Sequence, residues 1–256
     1  MRLALALAAL VLAALGVASA SAELTQKGDV FVRFDGGIAP KALPRTTTAP
    51  ISVRIEGRIR VLTGQQPPAL RQITVALNRE GRLSTAGLPL CRRSQIDPAN
   101  PAEALAACGP ALVGSGGIVA RSSLPNQANP LLRGNVLLFN GRSRGRPTIL
   151  AQVYQRAPPT TYVIEFSIRR TSGTFGTTIS GAIPPSVNRN GYLESIFLRL
   201  GRSYSYRGRQ HAYLSASCAA PAGFTAAIFP FARASMGFAD GRSLTSTLLR
   251  TCRVRG

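Results

Sequence analysis

Apolar and polar residues alternate along most of the chain. In the clearest stretch, residues 51–61, Val53, Ile55 and Ile59 fall on one side, and arginines and a glutamate fall on the other. Because residues two apart share a face of a β-strand, this pattern predicts an antiparallel strand with one buried face. The same period recurs at Ile73–Leu77, Tyr162–Ile168 and Ile196–Leu200.

Turn-forming residues separate the alternating runs. Glycine, asparagine and proline favour turns, so each cluster of them marks the end of a strand. About a dozen short strands at this spacing predict an all-β, antiparallel, sandwich-like domain. The predicted turns include Asp35-Gly36-Gly37, Asn78 to Gly81, Asn140-Gly141, Pro158-Pro159, Pro184-Pro185 and Asp240-Gly241.

One segment follows helical instead of strand rules. Asn100 is a good N-cap, Pro101 fits the first helical position, and Glu103 sits near the positive end of the helix dipole. Alanines follow, and Gly109 with Pro110 then ends the helix, the glycine as a left-handed cap. The sequence therefore predicts one short helix in an otherwise β-rich chain.

Residues 1–22 have the pattern of a secretory signal peptide. Arg2 precedes an unbroken apolar run, and Ala20-Ser21-Ala22 forms a small-x-small cleavage site before Glu23. An uncleaved membrane anchor is the alternative, although the apolar run is short for a spanning helix. Later segments are too short in apolar sequence to predict a membrane span.

After removal of this segment, residues 23–256 are expected to form a single β-domain. A chain of that length also suits two packed sub-domains, with a boundary near residues 125–130. The sequence shows neither a long linker nor an internal repeat that would decide between them.

The chain has four cysteines. In an exported protein an even number of cysteines predicts disulfides, and the spacing lacks the Cys-x-x-Cys pattern of redox and metal sites. Nearest neighbours in sequence favour Cys91–Cys108 and Cys218–Cys252. The other two connectivities of four cysteines stay open.

The net charge of +21 is the most unusual feature of the composition. Nearly all of it comes from arginine, and loss of Arg2 with the signal peptide leaves +20 on the mature chain. Arginines on an outward strand face, and an aromatic–basic cluster further on, could bind anionic groups. The candidate anion-binding residues are Arg54, Arg58, Arg60, Arg202, Arg207, Arg209, Tyr204 and Tyr206.

Candidate catalytic chemistry is weak throughout. Gly141 to Gly145 matches the nucleophile-elbow pattern G-x-S-x-G, but a β-type run follows where that motif needs a helix. His211 is the sole histidine, so it alone could serve a catalytic triad or a histidine metal site. Glu165 and Glu194 are the best carboxylate pair for glycoside hydrolysis. We predict no catalytic residues, no metal site and no cofactor, because acidic clusters and phosphate-binding loops are absent from the sequence.

Several short motifs resemble those of exported β-rich proteins of GC-rich bacteria, a group without an assigned activity. They are Cys91, the run from Ala106 to Gly116, Ser217-Cys218, Gly237 to Gly241 and Cys252. The resemblance covers the chain from Leu43 to its end. It implies export and a disulfide-bonded β-fold, and it implies no function.

We therefore expect a secreted, non-enzymatic binding or structural protein of the cell envelope. Its expected partners are anionic envelope polymers, with no specific nucleic acid and no membrane span after signal removal. The alternative is a secreted hydrolase, for example a glycosidase, that uses a carboxylate pair.

Overall fold

The computed structural model describes residues 22–123, 130–189 and 191–255. The predicted signal peptide lies outside these residues except for Ala22, as does most of the alternative sub-domain boundary. The strands are β1 (Glu23–Lys27), β2 (Val30–Ala39), β3 (Ala42–Leu43), β4 (Ala49–Pro50), β5 (Ser52–Val61), β6 (Leu70–Asn78), β7 (Gly81–Leu83), β8 (Leu112–Ser122), β9 (Leu131–Ser143), β10 (Arg146–Arg156), β11 (Pro159–Arg170), β12 (Phe175–Ala182), β13 (Gly191–Leu200), β14 (Ser203–Tyr206), β15 (Arg209–Ala212), β16 (Leu214–Ala216), β17 (Ala226–Phe238) and β18 (Ser243–Val254). The helix α1 spans Pro101–Cys108, and 3-10 turns cover Arg93–Gln95, Gly109–Ala111 and Pro185–Asn188.

Thirteen of these strands form one sheet in the order β1-β2-β5-β13-β8-β9-β10-β11-β12-β6-β17-β18-β3. All of its pairings are antiparallel except the one between β18 and β3. In this order, strands that precede residues 124–129 in sequence are interspersed with strands that follow them. Both parts of the chain therefore contribute to the same sheet. The prediction of an all-β, mainly antiparallel fold with one short helix is confirmed.

The sheet is curled so that its two ends meet. β2 is the second strand in the order and β3 is the last, yet only Pro40 and Lys41 separate them in sequence. An extended chain covers about 3.3–3.6 Å per residue, so these two strands lie within roughly 11 Å of each other.

Side chains link the two ends across the resulting seam. The Thr25 hydroxyl bonds that of Ser246, the Arg242 guanidinium pairs with Asp29, and Arg250 donates to the Gly36 carbonyl. Arg250 also pairs with Asp35 although its side chain is only 6% exposed. These side-chain contacts take the place of inter-strand backbone hydrogen bonds, which end at β1.

The core lies inside the curl and follows the sequence alternation. In β2 the residues Val30, Val32 and Phe34 are buried, and in β5 Val53 and Ile59 are buried while the arginines between them are exposed. The inward-facing residues of most strands thus contribute to the larger of two hydrophobic cores.

Helix α1 begins as the sequence predicts. The Asn100 side chain accepts hydrogen bonds from the amides of Ala102 and Glu103, and Glu103 accepts one from the Asn100 amide. The predicted left-handed cap at Gly109 is wrong: its φ is −50°, and the chain continues directly into a 3-10 turn. Pro110 fits that turn because its ring fixes φ in the helical range.

The helix and the loop before it cover the outer face of β9, β10 and β11. They form a second, smaller core around Ile96, Phe139 and Leu150. The buried Gln152 amide donates to the carbonyls of Ile96 and Ala99 at 3.2 and 2.7 Å, which fixes the loop to the sheet.

Two predicted turns are wrong. Asp35-Gly36-Gly37 lies inside β2, and Asn140-Gly141 lies inside β9. Gly36 is needed there for contact between strands, because an added Cβ would lie 2.6 Å from the Arg54 carbonyl oxygen. The β9–β10 turn instead falls at Arg144-Gly145, where both φ angles are positive at 49° and 75°.

Both expected disulfides are present, Cys91–Cys108 and Cys218–Cys252, and these two bonds use all four cysteines. Disulfides persist in oxidising compartments, so the pair indicates an extracytoplasmic environment. Among the described residues, no helix has the length and apolarity needed to cross a membrane.

Candidate anion-binding surface

The outward faces of β2, β5 and β13 carry a set of arginines that we call the arginine face, defined as Arg33, Arg54, Arg58, Arg60 and Arg199. Three of them, Arg54, Arg58 and Arg60, were predicted from the alternation in β5, and all three are exposed. Arg33 and Arg199 were not among the candidates, although each alternates with apolar residues in its own strand.

The strand register arranges these side chains in rungs across the sheet. Arg33 lies opposite Arg58, and Arg54 lies opposite Arg199. Between these two rungs, Asp35 lies opposite Glu56. Side chains opposite each other on neighbouring strands have Cβ atoms about 4.5–5.5 Å apart. The surface therefore places one pair of arginines on each side of an acidic pair.

The two carboxylates of the middle rung are already paired. Glu56 binds Arg54 at 2.9 Å between Oε1 and Nη1, and Asp35 binds the buried Arg250 across the seam. Among the described residues, Arg33, Arg58, Arg60 and Arg199 form no ion pair. This face therefore has an excess of positive charge that its own carboxylates leave unmatched.

Two grooves run between these side chains. One, of about 420 Å³, is lined by Arg33, Arg58 and Phe197 and also by the two carboxylates of the middle rung. The other, of about 320 Å³, is lined by Arg54 and Arg199 and also by Asp35. Phe197 is 54% exposed at the centre of the face. The grooves give an extended anion room to lie between guanidinium groups, which form paired hydrogen bonds with phosphate or carboxylate oxygens.

The second predicted cluster lies on the β14–β15 hairpin. Arg207 and Gly208 both have positive φ, at 52° and 71°, which gives the two-residue turn its tight form. The Arg207 guanidinium lies over the Tyr206 ring at 5.2 Å, and the His211 ring lies 5.7 Å from that of Tyr204. The hairpin thus does bring tyrosines and arginines together.

Part of this cluster serves the fold. Arg202 donates from Nη1 to the carbonyls of Gly109 and Leu112 at 3.1 and 2.8 Å, so it holds the chain just after α1. The Tyr204 hydroxyl donates to the Ala86 carbonyl at 2.7 Å. Arg207 and Arg209 remain exposed and available to a ligand.

The hairpin also packs on the loop that precedes the Cys91 disulfide. A Cβ added at Gly87 would lie 2.2 Å from the Tyr206 ring, so the tyrosine rests directly on that glycine. The ring is therefore held in place by the fold, which leaves only part of its surface for a ligand.

The carboxylates of the hydrolase alternative are not brought together. Glu165 is on β11 and Glu194 is on β13, and three strands lie between them in the sheet. Glu165 pairs with Arg93 at 3.7 Å, whereas Glu194 pairs with Arg121 at 3.0 Å. Glycosidases place their two carboxylates about 5–10 Å apart across one cleft.

The remaining candidates for catalysis or metal binding are Ser143 and His211, and each has a defined place in the fold. Ser143 of the G-x-S-x-G match ends β9 beside the hairpin turn, so a strand follows in place of the required helix. His211 sits between the two tyrosines of the β14–β15 hairpin. Within the described ranges, no group of histidine, cysteine and acidic residues is arranged to hold a metal ion.

Comparison with known proteins adds nothing to this geometry. None of the three comparisons, with protein-family models, with curated proteins and with solved structures, finds a match for the chain.

Proposed function

We propose that the protein is a secreted, non-enzymatic binding protein of the cell envelope, and that its arginine face binds anionic polymers. The observation that carries this proposal is the pairing of Arg33 with Arg58 and of Arg54 with Arg199 across neighbouring strands. Like charges directly opposite each other destabilise a sheet. A bound polyanion relieves that repulsion, so the surface favours an anionic ligand.

The overall charge supports the same partner class. The whole chain has a net charge of +21, of which +20 stays after signal removal, and this charge creates a positive field that concentrates polyanions near the surface and speeds their association. The signal-peptide pattern and the two disulfides favour a location where envelope polymers are the available anions. Binding through solvated guanidinium groups is independent of sequence in the polymer. As a binding protein, the chain is expected to show affinity without turnover.

The test compares two fourfold variants with equal loss of charge. One, the rung variant, replaces Arg33, Arg54, Arg58 and Arg199 with Gln, which removes the positive charge from both arginine rungs. The matched control makes the same change to Gln at four exposed arginines on β6, β9, β10 and β11, which are Arg71, Arg142, Arg156 and Arg170. Both variants have the same net charge, so any difference between them reports on the arginine face alone.

Retention on immobilised heparin, followed in a salt gradient, is the measurement. We expect the rung variant to elute at clearly lower salt than the control, because it lacks the closely spaced guanidinium groups. Equal elution of the two variants would show that net charge alone sets retention, and it would contradict the proposal. Circular dichroism of each variant verifies that the β-structure is intact.

A further inference from the structure

The inner face of the curled sheet is not fully packed. Ile73 and Val75 on β6, and Leu198 on β13, pack against the core, yet all three are only partly buried. They line a cavity of about 120 Å³ inside the curl. Protein interiors normally contain few voids larger than a water molecule.

The residues that line the cavity are all apolar. The wall is formed by phenylalanine, valine, isoleucine, leucine, alanine, glycine and methionine residues, none of which carries a side-chain nitrogen or oxygen atom. A buried water needs two to four polar partners, so this wall offers water little stabilisation. An apolar molecule would lose no hydrogen bond on entering and would bury its surface.

The size of the cavity limits what can enter. An engineered cavity of about 150 Å³ in another protein, lined by similar side chains, stays dry and binds benzene. The present cavity is slightly smaller, so its ligand is compact.

We propose that this cavity binds a compact hydrocarbon group about the size of a benzene ring. The site is distinct from the arginine face, because it lies on the opposite side of the same strands. In β5, for example, Arg54 and Arg58 point outward whereas Ile55 lines the cavity. Binding there depends on burial of apolar surface and is independent of the polyanion partner.

Two positions in the wall allow a direct test. Ala234 on β17 is 2% exposed and lies opposite Val75 on β6. Ala234→Leu adds three carbons and fills much of the space, while Val75→Ile adds a single carbon and perturbs the fold less. Ala226→Leu, at the exposed start of the same strand, is the matched control because it adds the same group outside the core.

The assay is a titration with benzene in sealed tubes, followed by methyl resonances of the isoleucines in the intact mature protein. We expect saturable shifts of Ile73 and Ile196 in the wild type and in the Ala226→Leu control. Val75→Ile should weaken binding at least several-fold, and Ala234→Leu should abolish it if that variant folds. The absence of saturable shifts in the wild type, or unchanged affinity in Val75→Ile, would overturn the proposal.

Discussion

Removal of the Cys91–Cys108 disulfide gives a prediction whose size follows from the fold. The bond joins residues 17 apart, and the Cys218–Cys252 bond joins residues 34 apart. In the chain-entropy model a cross-link stabilises by restricting the unfolded chain, by about 3 kcal/mol for the shorter loop and about 4 kcal/mol for the longer one. All four cysteines belong to the two hydrophobic cores, so both disulfides are buried.

The perturbation is the double substitution Cys91→Ala with Cys108→Ala, compared with the equivalent change at Cys218 and Cys252. Urea unfolding is followed by circular dichroism because the chain has no tryptophan. We expect both variants to lose stability, the second by slightly more than the first. For a domain of this size a loss of about 3 kcal/mol lowers the melting temperature by roughly 6–12 °C.

The result that would refute this reasoning is a loss below about 1 kcal/mol in the Cys91 and Cys108 variant. It would mean that the unfolded chain keeps residual structure in this loop, so that the cross-link removes little of its conformational entropy. Transitions by far-ultraviolet and tyrosine signals must coincide in both variants, since a two-state free energy requires it.

Two further predictions concern titratable groups. Tyr213 is fully buried, burial raises the pKa of its phenol, and its hydroxyl has no hydrogen-bond partner among the described residues. Tyr213→Phe should therefore leave urea stability unchanged or raise it by about 1–3 kcal/mol, and a loss of stability would reveal a partner for the hydroxyl. The hydrogen bond from Arg242 lowers the pKa of Asp29 below its ordinary value of 3.8. The stabilisation by this pair is thus full above pH 3.8 and disappears as the pH falls through the lowered pKa, so Asp29→Asn should lower the melting temperature at pH 7 but not in strong acid.

Local rules in the sequence predict local structure well. The alternation in residues 51–61 predicts a strand with outward arginines, and the asparagine, proline and glutamate before α1 predict its start. These features depend on neighbours within a few residues. The turn rules fail at Asp35-Gly36-Gly37 because that glycine serves contact between strands, which depends on a residue far away in sequence.

The arginine face depends on strand order, which the sequence does not reveal. Arg33, Arg58 and Arg199 come together because β2, β5 and β13 are neighbours, and β13 lies more than 120 residues after β5. The role of Arg202 was missed for the same reason. Its partners are carbonyls near the end of α1, about 90 residues earlier in the chain.

The most direct test of the proposed function is the salt dependence of binding to a simple polyanion. Duplex DNA serves as the test polymer, because binding through phosphates alone needs no particular base sequence. Each phosphate contacted lowers the slope of log affinity against log salt by about 0.9, so engagement of the four rung arginines predicts a slope near −3 to −4.

Fluorescence anisotropy of a labelled duplex across a salt series measures this slope in the wild type, the rung variant and the control variant. We predict a steep slope in the wild type and the control, and a shallow slope in the variant that lacks Arg33, Arg54, Arg58 and Arg199. Equal slopes in all three proteins, or no wild-type binding at about 0.15 M salt, where the screening length is already about 8 Å, would contradict polyanion binding by the arginine face.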